Sequence, residues 1–240
     1  MAALAMGRRF TLHGGGDMFE SMHTHMDLYC ERLDPSFWAE PLNALSNLAF
    51  VAAGLWGLSR AKSQGSDGFV VLLCWWVVAI GVGSFLFHTF ANGLTMWADV
   101  LPIAGFTLAY TLFNLRRFLG FSWAKSLVIF VVFYAVVAFI TLQVPDWLRV
   151  ASNGSTGYLP PFVALAFFGA WAIAAGNPAG WYNILAVGIF ILSVTFRALD
   201  PVVCEALPIG THFLWHTSNG LMLGVILAAT IKYARSRPAR

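Results

Sequence analysis

Three histidines lie in apolar segments of this 240-residue chain, at spacings that favour a metal site. His88 ends the stretch GSFLFH, while His212 and His216 stand four residues apart in HFLWH and so share one face of a helix. A lone histidine on an apolar face is more often a packed core residue, but three together match the ligand set of a catalytic zinc ion. An open fourth position then holds a water that can ionise near neutral pH. We therefore predict that His88, His212 and His216 bind zinc.

Two further polar side chains are the predicted catalytic residues beside this metal. Asp99 lies about one turn into the apolar segment that begins near Thr95, and it could be the general base or could orient the water. Ser84 precedes His88 by four residues and could hydrogen-bond the water or the developing oxyanion. The alternative for Ser84 is a hydrogen bond to the carbonyl four residues earlier, which is common for serines in membrane helices.

The composition places these residues in a membrane protein. The chain is 59% hydrophobic and 10% charged, whereas a soluble domain has about 25% charged residues. Most of the surface must therefore face lipid, where an ionisable side chain is costly and usually functional. The net charge of +3 is scattered along the chain and indicates no nucleic-acid partner.

Hydrophobic runs separated by short polar breaks predict an all-α bundle of seven transmembrane helices. Each run is close to the ~20 residues that cross the hydrocarbon core. The predicted domains are an aqueous N-terminal segment over 1–40, the transmembrane domain over 41–233 and a basic tail over 234–240. The predicted helices cover 41–59, 69–90, 95–115, 123–143, 159–175, 181–199 and 209–233.

The distribution of basic residues predicts the orientation of this bundle. With seven helices, nine of the 14 Lys and Arg residues lie on the side of the C-terminus and five on the other side. The positive-inside rule then places the C-terminus in the cytoplasm and the N-terminus outside. In this topology His88, Asp99, His212 and His216 reach the same depth near the outer surface, although depth was not used to select them.

The segment before the first helix carries a group of acidic residues. Clustered carboxylates with nearby carbonyl groups suit a hard cation such as Ca²⁺, but the spacing is not that of an EF-hand. A solvated acidic loop explains the same residues equally well. For His23 and His25, an exposed segment is favoured over metal binding. The acidic residues are Asp27, Glu31, Asp34 and Glu40.

Four stretches together resemble the alkaline ceramidases, which belong to a wider group of seven-helix membrane hydrolases that includes the adiponectin receptors. The stretches are YCERLDPSFWAEPLNALSNLAF (29–50), GSFLFH (83–88) with Asp99 eleven residues later, LDPVVCE (199–205) and HFLWH (212–216). The resemblance runs from about residue 27 to 220. The combined serine, aspartate and histidine pattern is specific, whereas any single stretch is weak.

The resemblance implies an amidase that cleaves ceramide into a sphingoid base and a fatty acid. It implies zinc on the three histidines, with Ser84 and Asp99 around the reactive water, and a disulfide between Cys30 and Cys204 on the outer side. It also implies calcium binding. Leu28 stands where the family has one acidic ligand, which Asp27 would replace from one residue earlier. The compact loops resemble a bacterial member, whose natural lipid could differ from ceramide. The implied calcium ligands are Asp27, Glu31, Asp34, Glu40 and a backbone carbonyl near Tyr29.

The leading prediction is therefore a zinc-dependent lipid amide hydrolase, integral to the membrane, with its active site toward the extracytoplasmic side and a membrane lipid as its substrate. The first alternative is a lipid-binding receptor or sensor with a structural zinc and little turnover. The second is a proton or ion carrier, which would need polar residues continuing to the cytoplasmic end, where few occur. The oligomeric state is not predicted.

Overall fold

The computed structural model describes residues 22–233, and within this range the protein is helical and has no strand. Seven helices are long and apolar enough to cross a membrane, which confirms the predicted seven-helix bundle. The predicted basic tail and most of the N-terminal segment lie outside the described residues. The seven helices are α1 Pro41–Ser63, α2 Gly68–Phe90, α3 Gly93–Phe118, α4 Trp123–Leu142, α5 Ser155–Ala174, α6 Ala179–Val203 and α7 His212–Tyr233.

Side-chain caps explain where several helices begin. Asp67 accepts hydrogen bonds from the first amides of α2, and Ser122 caps α4. Asn92 and Thr95 form a reciprocal capping box at the start of α3, two residues before the predicted start of that helix. Such caps satisfy backbone amides that have no partner within the helix. The sharp link between α2 and α3 passes through Ala91, whose φ of 43° is left-handed.

Three helices differ from the predicted bounds for local reasons. α1 is interrupted at Asn47, between Pro41–Ser46 and Leu48–Ser63. α3 ends in a π-helical turn over Asn114–Phe118. Such turns are rare and often occur at functional sites. α6 runs to Val203, beyond the predicted end at 199. The break predicted over 145–158 contains a short helix, Asp146–Ala151.

Packing follows a simple order around the bundle. α2 packs between α1 and α3, and α7 packs between α1 and α6, which in turn contacts α5. α7 is the most buried of the seven helices and α4 the least, so α7 lies centrally and α4 faces outward. Small residues allow the close approaches, as is usual between membrane helices: Gly220 of α7 lies against Ala49 of α1.

Candidate metal centre and lipid cavity

The three predicted zinc ligands meet at one end of the bundle. One ligand atom from each of His88, His212 and His216 lies within 4.8 Å of the others, and all three side chains are buried. Within residues 22–233 this is the group of His, Cys, Asp and Glu residues arranged to hold a metal ion. The ring centroids are 4.5–5.1 Å apart. The prediction that these histidines converge from α2 and α7 is therefore confirmed, whereas the type of metal is not determined by this geometry.

Hydrogen bonds hold two of the histidines with their Nε2 atoms toward the centre. His88 Nδ1 lies 2.6 Å from Glu40 Oε2, and His88 Nε2 is buried with no partner among the described residues. Ser46 Oγ contacts both the carbonyl of Asn43 and His216 Nδ1, the latter at 2.8 Å. His88 Nδ1 donates to the Glu40 carboxylate, so the Nε2 lone pair of His88 remains for a metal. A second group that fixes the imidazole in this way is typical of metal sites.

Glu40 is ionised in this arrangement. Burial alone would raise the pKa of Glu40, but hydrogen bonds from His88, Asn43 and Arg32 hold it below its usual value. Glu40 was a predicted calcium ligand, and the structure instead places both of its oxygens on protein donors.

Asp200 fixes the start of α7, and sequence reasoning did not single it out as a site residue. Its Oδ1 accepts from the amides of Thr211 and His212 at 2.7 and 2.9 Å, and its Oδ2 accepts from the amide of Cys30 at 3.0 Å. Asp200 is fully buried. An acidic residue in LDPVVCE, twelve positions before His212, was the available signal.

A disulfide and a ring-stacking contact hold the N-terminal segment over the histidines. Cys30 and Cys204 form the disulfide that the resemblance implied. The neighbouring ring of Tyr29 stacks on His212, with centroids 3.7 Å apart and planes at 20°. Burial raises the pKa of Tyr29, so its phenol stays protonated over this face of the centre.

Ser84 and Asp99 lie side by side because α2 and α3 nearly touch at Gly83. A Cβ atom built on Gly83 would be 2.0 Å from the carbonyl oxygen of Ala98. This contact brings the next residue of each helix together, and the Ser84 hydroxyl contacts the Asp99 carboxyl. Ser84 Oγ lies 3.5 Å from His216 Nε2, and Asp99 Oδ1 is buried without a partner in the described range. The structure therefore places both residues beside the histidines, and their catalytic roles stay predictions.

The acidic loop gives no support for calcium. The buried guanidinium of Arg32 occupies its centre, donating to Glu40 Oε1 at 2.5 Å and to the carbonyls of Asp34 and Ser36 at 3.2 and 3.4 Å. A fourth donation, to the carbonyl of His88 at 2.9 Å, joins the loop to α2. These oxygens are the kind that a hard cation would need, and an internal cation already uses them.

The other predicted calcium ligands are also engaged elsewhere or exposed. Glu31 accepts from the amides of Leu42 and Asn43 at the start of α1. Asp34 accepts from the amide of Ser36, and Asp27 is exposed. The backbone carbonyl of Tyr29 accepts from the amide of Arg32. His23 and His25 are exposed, as expected, and the backbone of His25 pairs with that of Asn92.

An apolar cavity lies within the bundle next to the histidines, because its wall includes Phe50 and Trp215, whose rings lie beside those of His216 and His212. Most of its wall comes from α3, α5, α6 and α7. Trp215, which stacks on His212, lines its upper part, and Asn114 and Ile226 line its far end. From Trp215 to Ile226 the cavity follows α7 for about 17 Å at the rise of an α-helix. Its apolar lining suits a hydrocarbon chain.

Fold and site together define a multi-pass membrane protein with a buried three-histidine centre that could hold a metal ion. The family described as Ceramidase matches residues 29–237, so the chain belongs to the Ceramidase family. Membership supports a hydrolase of lipid amides and confirms the resemblance in the sequence. The comparison with curated proteins finds no match.

Proposed function

We propose that the protein is a zinc-dependent intramembrane hydrolase that cleaves ceramide-like lipid amides into a long-chain amine and a fatty acid. The observation that carries the proposal is that three buried histidines able to hold a metal lie next to an apolar cavity, whose wall includes the Trp215 ring that stacks on His212. Membership of the Ceramidase family makes a lipid amide the favoured substrate.

The donor set supports zinc as the resident metal. Three neutral imidazoles are a common ligand set of catalytic zinc. The Nε2 atom of His88 is buried without a partner among the described residues, so it is available to coordinate the metal. A zinc ion there supplies a Lewis acid and lowers the pKa of water.

Asp99 and Ser84 supply the proton transfer and the polar contact that hydrolysis needs. Water adds to the amide carbonyl carbon, the C–N bond breaks, and the products are a carboxylate and an amine. Asp99 Oδ1, which is buried without a partner in the described range, accepts the proton from water and returns it to the leaving nitrogen. The Ser84 hydroxyl, next to His216, donates a hydrogen bond to the developing oxyanion.

The substrate then lies with its carbonyl at the histidines and one chain in the cavity. The charge distribution of the sequence supports an N-terminus outside and a cytoplasmic C-terminus, which directs the metal centre to the extracytoplasmic side. The leaving amine departs toward that surface.

The proposal is tested by metal analysis of the purified protein, followed by analysis of products from a panel of lipid amides and esters with and without a zinc chelator. We expect about one zinc per chain, and fatty acid release from amides that stops on chelation and returns with zinc. Ligand-induced stabilisation without any product would contradict hydrolysis and favour a lipid receptor with a structural metal.

A further inference from the structure

Two polar atoms in the wall of the apolar cavity have no hydrogen-bond partner among the described residues. They are Nε1 of Trp215, which can only donate, and Oδ1 of Asn219, which accepts. Both side chains are buried, at 3% and 4% exposure, and both line the cavity. The two residues are four apart in α7, so they lie on the same face of the helix.

The remaining polar side chains of this wall are satisfied by the protein. Thr107 donates to the carbonyl of Ile103, and Thr111 donates to that of Thr107. Tyr110 donates to Asn183, and Asn114 donates to the carbonyl of Tyr110. Trp215 and Asn219 are therefore distinct, because a buried polar atom without a partner costs about 1–3 kcal/mol. A cavity that only had to hold hydrocarbon would be better lined there by Phe and Leu.

A hydroxyl group is the substituent that can serve a donor and an acceptor at once. It accepts from Trp215 Nε1 and donates to Asn219 Oδ1. A water molecule can serve the same atoms in the resting protein, and a hydroxyl on the bound chain would take its place.

The position of the pair along the cavity indicates where this hydroxyl lies. The Trp215 ring stacks on His212 at 5.2 Å, and Asn219 is one turn further from the metal centre than Trp215. With the amide carbonyl at the histidines, the hydroxyl falls within the first few carbons of the chain.

We propose that Trp215 and Asn219 form a hydroxyl-recognition pair that selects lipid amides with a hydroxyl group close to the scissile bond. The proposal rests on the proposed hydrolase function and adds that the cavity recognises a hydroxyl group of the substrate. The hydroxyl belongs to the acyl chain, at its second or third carbon.

The test measures kcat/KM of the full-length zinc-loaded protein in detergent for matched palmitoyl amides of one long-chain amine. One amide carries no hydroxyl, two carry it at carbon 2 or 3 of the acyl chain, and one carries it on carbon 3 of the amine. We expect at least one of the two amides with an acyl hydroxyl to be preferred over the plain amide by roughly five- to tenfold, the contribution of about one hydrogen bond. A preference for the amide hydroxylated on the amine alone would overturn the pair.

The deciding variant is Asn219→Leu, which keeps the size of the side chain and removes the acceptor. It should bring the ratio of kcat/KM between the hydroxylated and the plain amide close to one. The matched control is Thr107→Val, which removes a hydroxyl from the same wall that already has a protein partner; its preference should stay that of the parent. Zinc content and Tm show that each variant is folded.

A second measurement needs no turnover. Hydroxypalmitic acid should raise the Tm of the parent more than palmitic acid does, and this difference should disappear in Asn219→Leu. Equal kcat/KM for all four amides, or a preference that survives in Asn219→Leu, would overturn the recognition pair. If no amide is cleaved at all, the proposed hydrolase function fails, and equal Tm shifts from the two acids would then overturn the pair as well.

Discussion

Glu40 and His88 are joined by a hydrogen bond of 2.6 Å between Oε2 and Nδ1, which makes a residue of the N-terminal segment part of the metal centre. Residue 40 precedes the first membrane helix, and residue 88 lies near the end of the second. The other oxygen of the same carboxylate accepts a hydrogen bond from the buried guanidinium of Arg32. The orientation of one candidate metal ligand thus depends on how the N-terminal segment folds over the bundle.

The first prediction concerns this contact. Glu40→Gln should weaken zinc binding by roughly 10- to 100-fold, because a neutral amide holds the imidazole less firmly and makes it less basic. The measurement is competition with a chelator of known zinc affinity. The matched control is Glu31→Gln, a nearby carboxylate that accepts from the amides of Leu42 and Asn43 at the start of α1. Equal zinc affinities for the two variants would contradict the role given to Glu40.

The second prediction separates metal binding from proton transfer. Asp99→Asn should keep its zinc and lose about 10²- to 10⁴-fold in kcat, since the amide cannot accept the proton that the carboxylate takes from water. His88→Ala should lose zinc and activity together. The measurements are zinc content and the initial rate of fatty acid release. A fully active Asp99→Asn enzyme would remove Asp99 from the mechanism.

The contrast between Glu40 and the histidines illustrates what the sequence could and could not reveal. The seven spans follow from hydrophobic runs of nearly the right length, and the convergence of His88, His212 and His216 follows from their equal depth. Partners such as Glu40, Ser46 and Asp200 could not be found in this way. Glu40 and Ser46 make their contacts across 48 and 170 residues, so their roles depend on the tertiary fold and not on a local pattern. Asp200 lies only twelve residues before His212, and that spacing was its one local signal.

The acidic loop was predicted less well for a related reason. In the sequence, the carboxylates and carbonyls of the loop suited calcium, and nothing indicated that Arg32 would contact them. In the fold the guanidinium turns inward and binds one oxygen of Glu40 and the carbonyls of Asp34 and Ser36, which no spacing rule would have shown. The predicted helix bounds were most in error, by four residues each, at the end of α1, the start of α5 and the end of α6.

The third prediction tests the internal cation. Adding calcium should leave the Tm of the parent unchanged, because the Arg32 guanidinium already binds Glu40 Oε1 and the carbonyls of Asp34 and Ser36. Arg32→Ala should lower the stability by about 3–5 kcal/mol, the usual result of breaking a buried ion pair. Arg32→Lys should recover part of this loss, since a lysine keeps the charge but not the planar set of donors. Calcium-dependent stabilisation of the parent, measured by thermal unfolding, would show that the loop binds the metal after all.

The fourth prediction concerns the disulfide between Cys30 and Cys204, which are 174 residues apart. Replacing both with alanine should lower the stability by about 2–5 kcal/mol, because the cross-link restricts a long stretch of the unfolded chain. A reducing agent should lower the Tm of the parent and leave that of the double variant unchanged. If the reductant affected both proteins equally, the thermal effect would come from something other than this bond.

The last prediction tests the close approach of α2 and α3 that sets Ser84 beside Asp99. Gly83→Ala should lower both Tm and kcat, because the new methyl group would meet the backbone carbonyl of Ala98 and force the helices apart. Backbone cannot move aside as the end of a flexible side chain can, so the strain reaches the next residue of each helix. The matched control is Gly188→Ala in α6, where an added Cβ meets nothing within 4 Å. That variant should be neutral or more stable by up to about 1 kcal/mol, since alanine favours a helix more than glycine does. A Gly83→Ala enzyme with the Tm and kcat of the parent would mean that the catalytic pair does not depend on this contact.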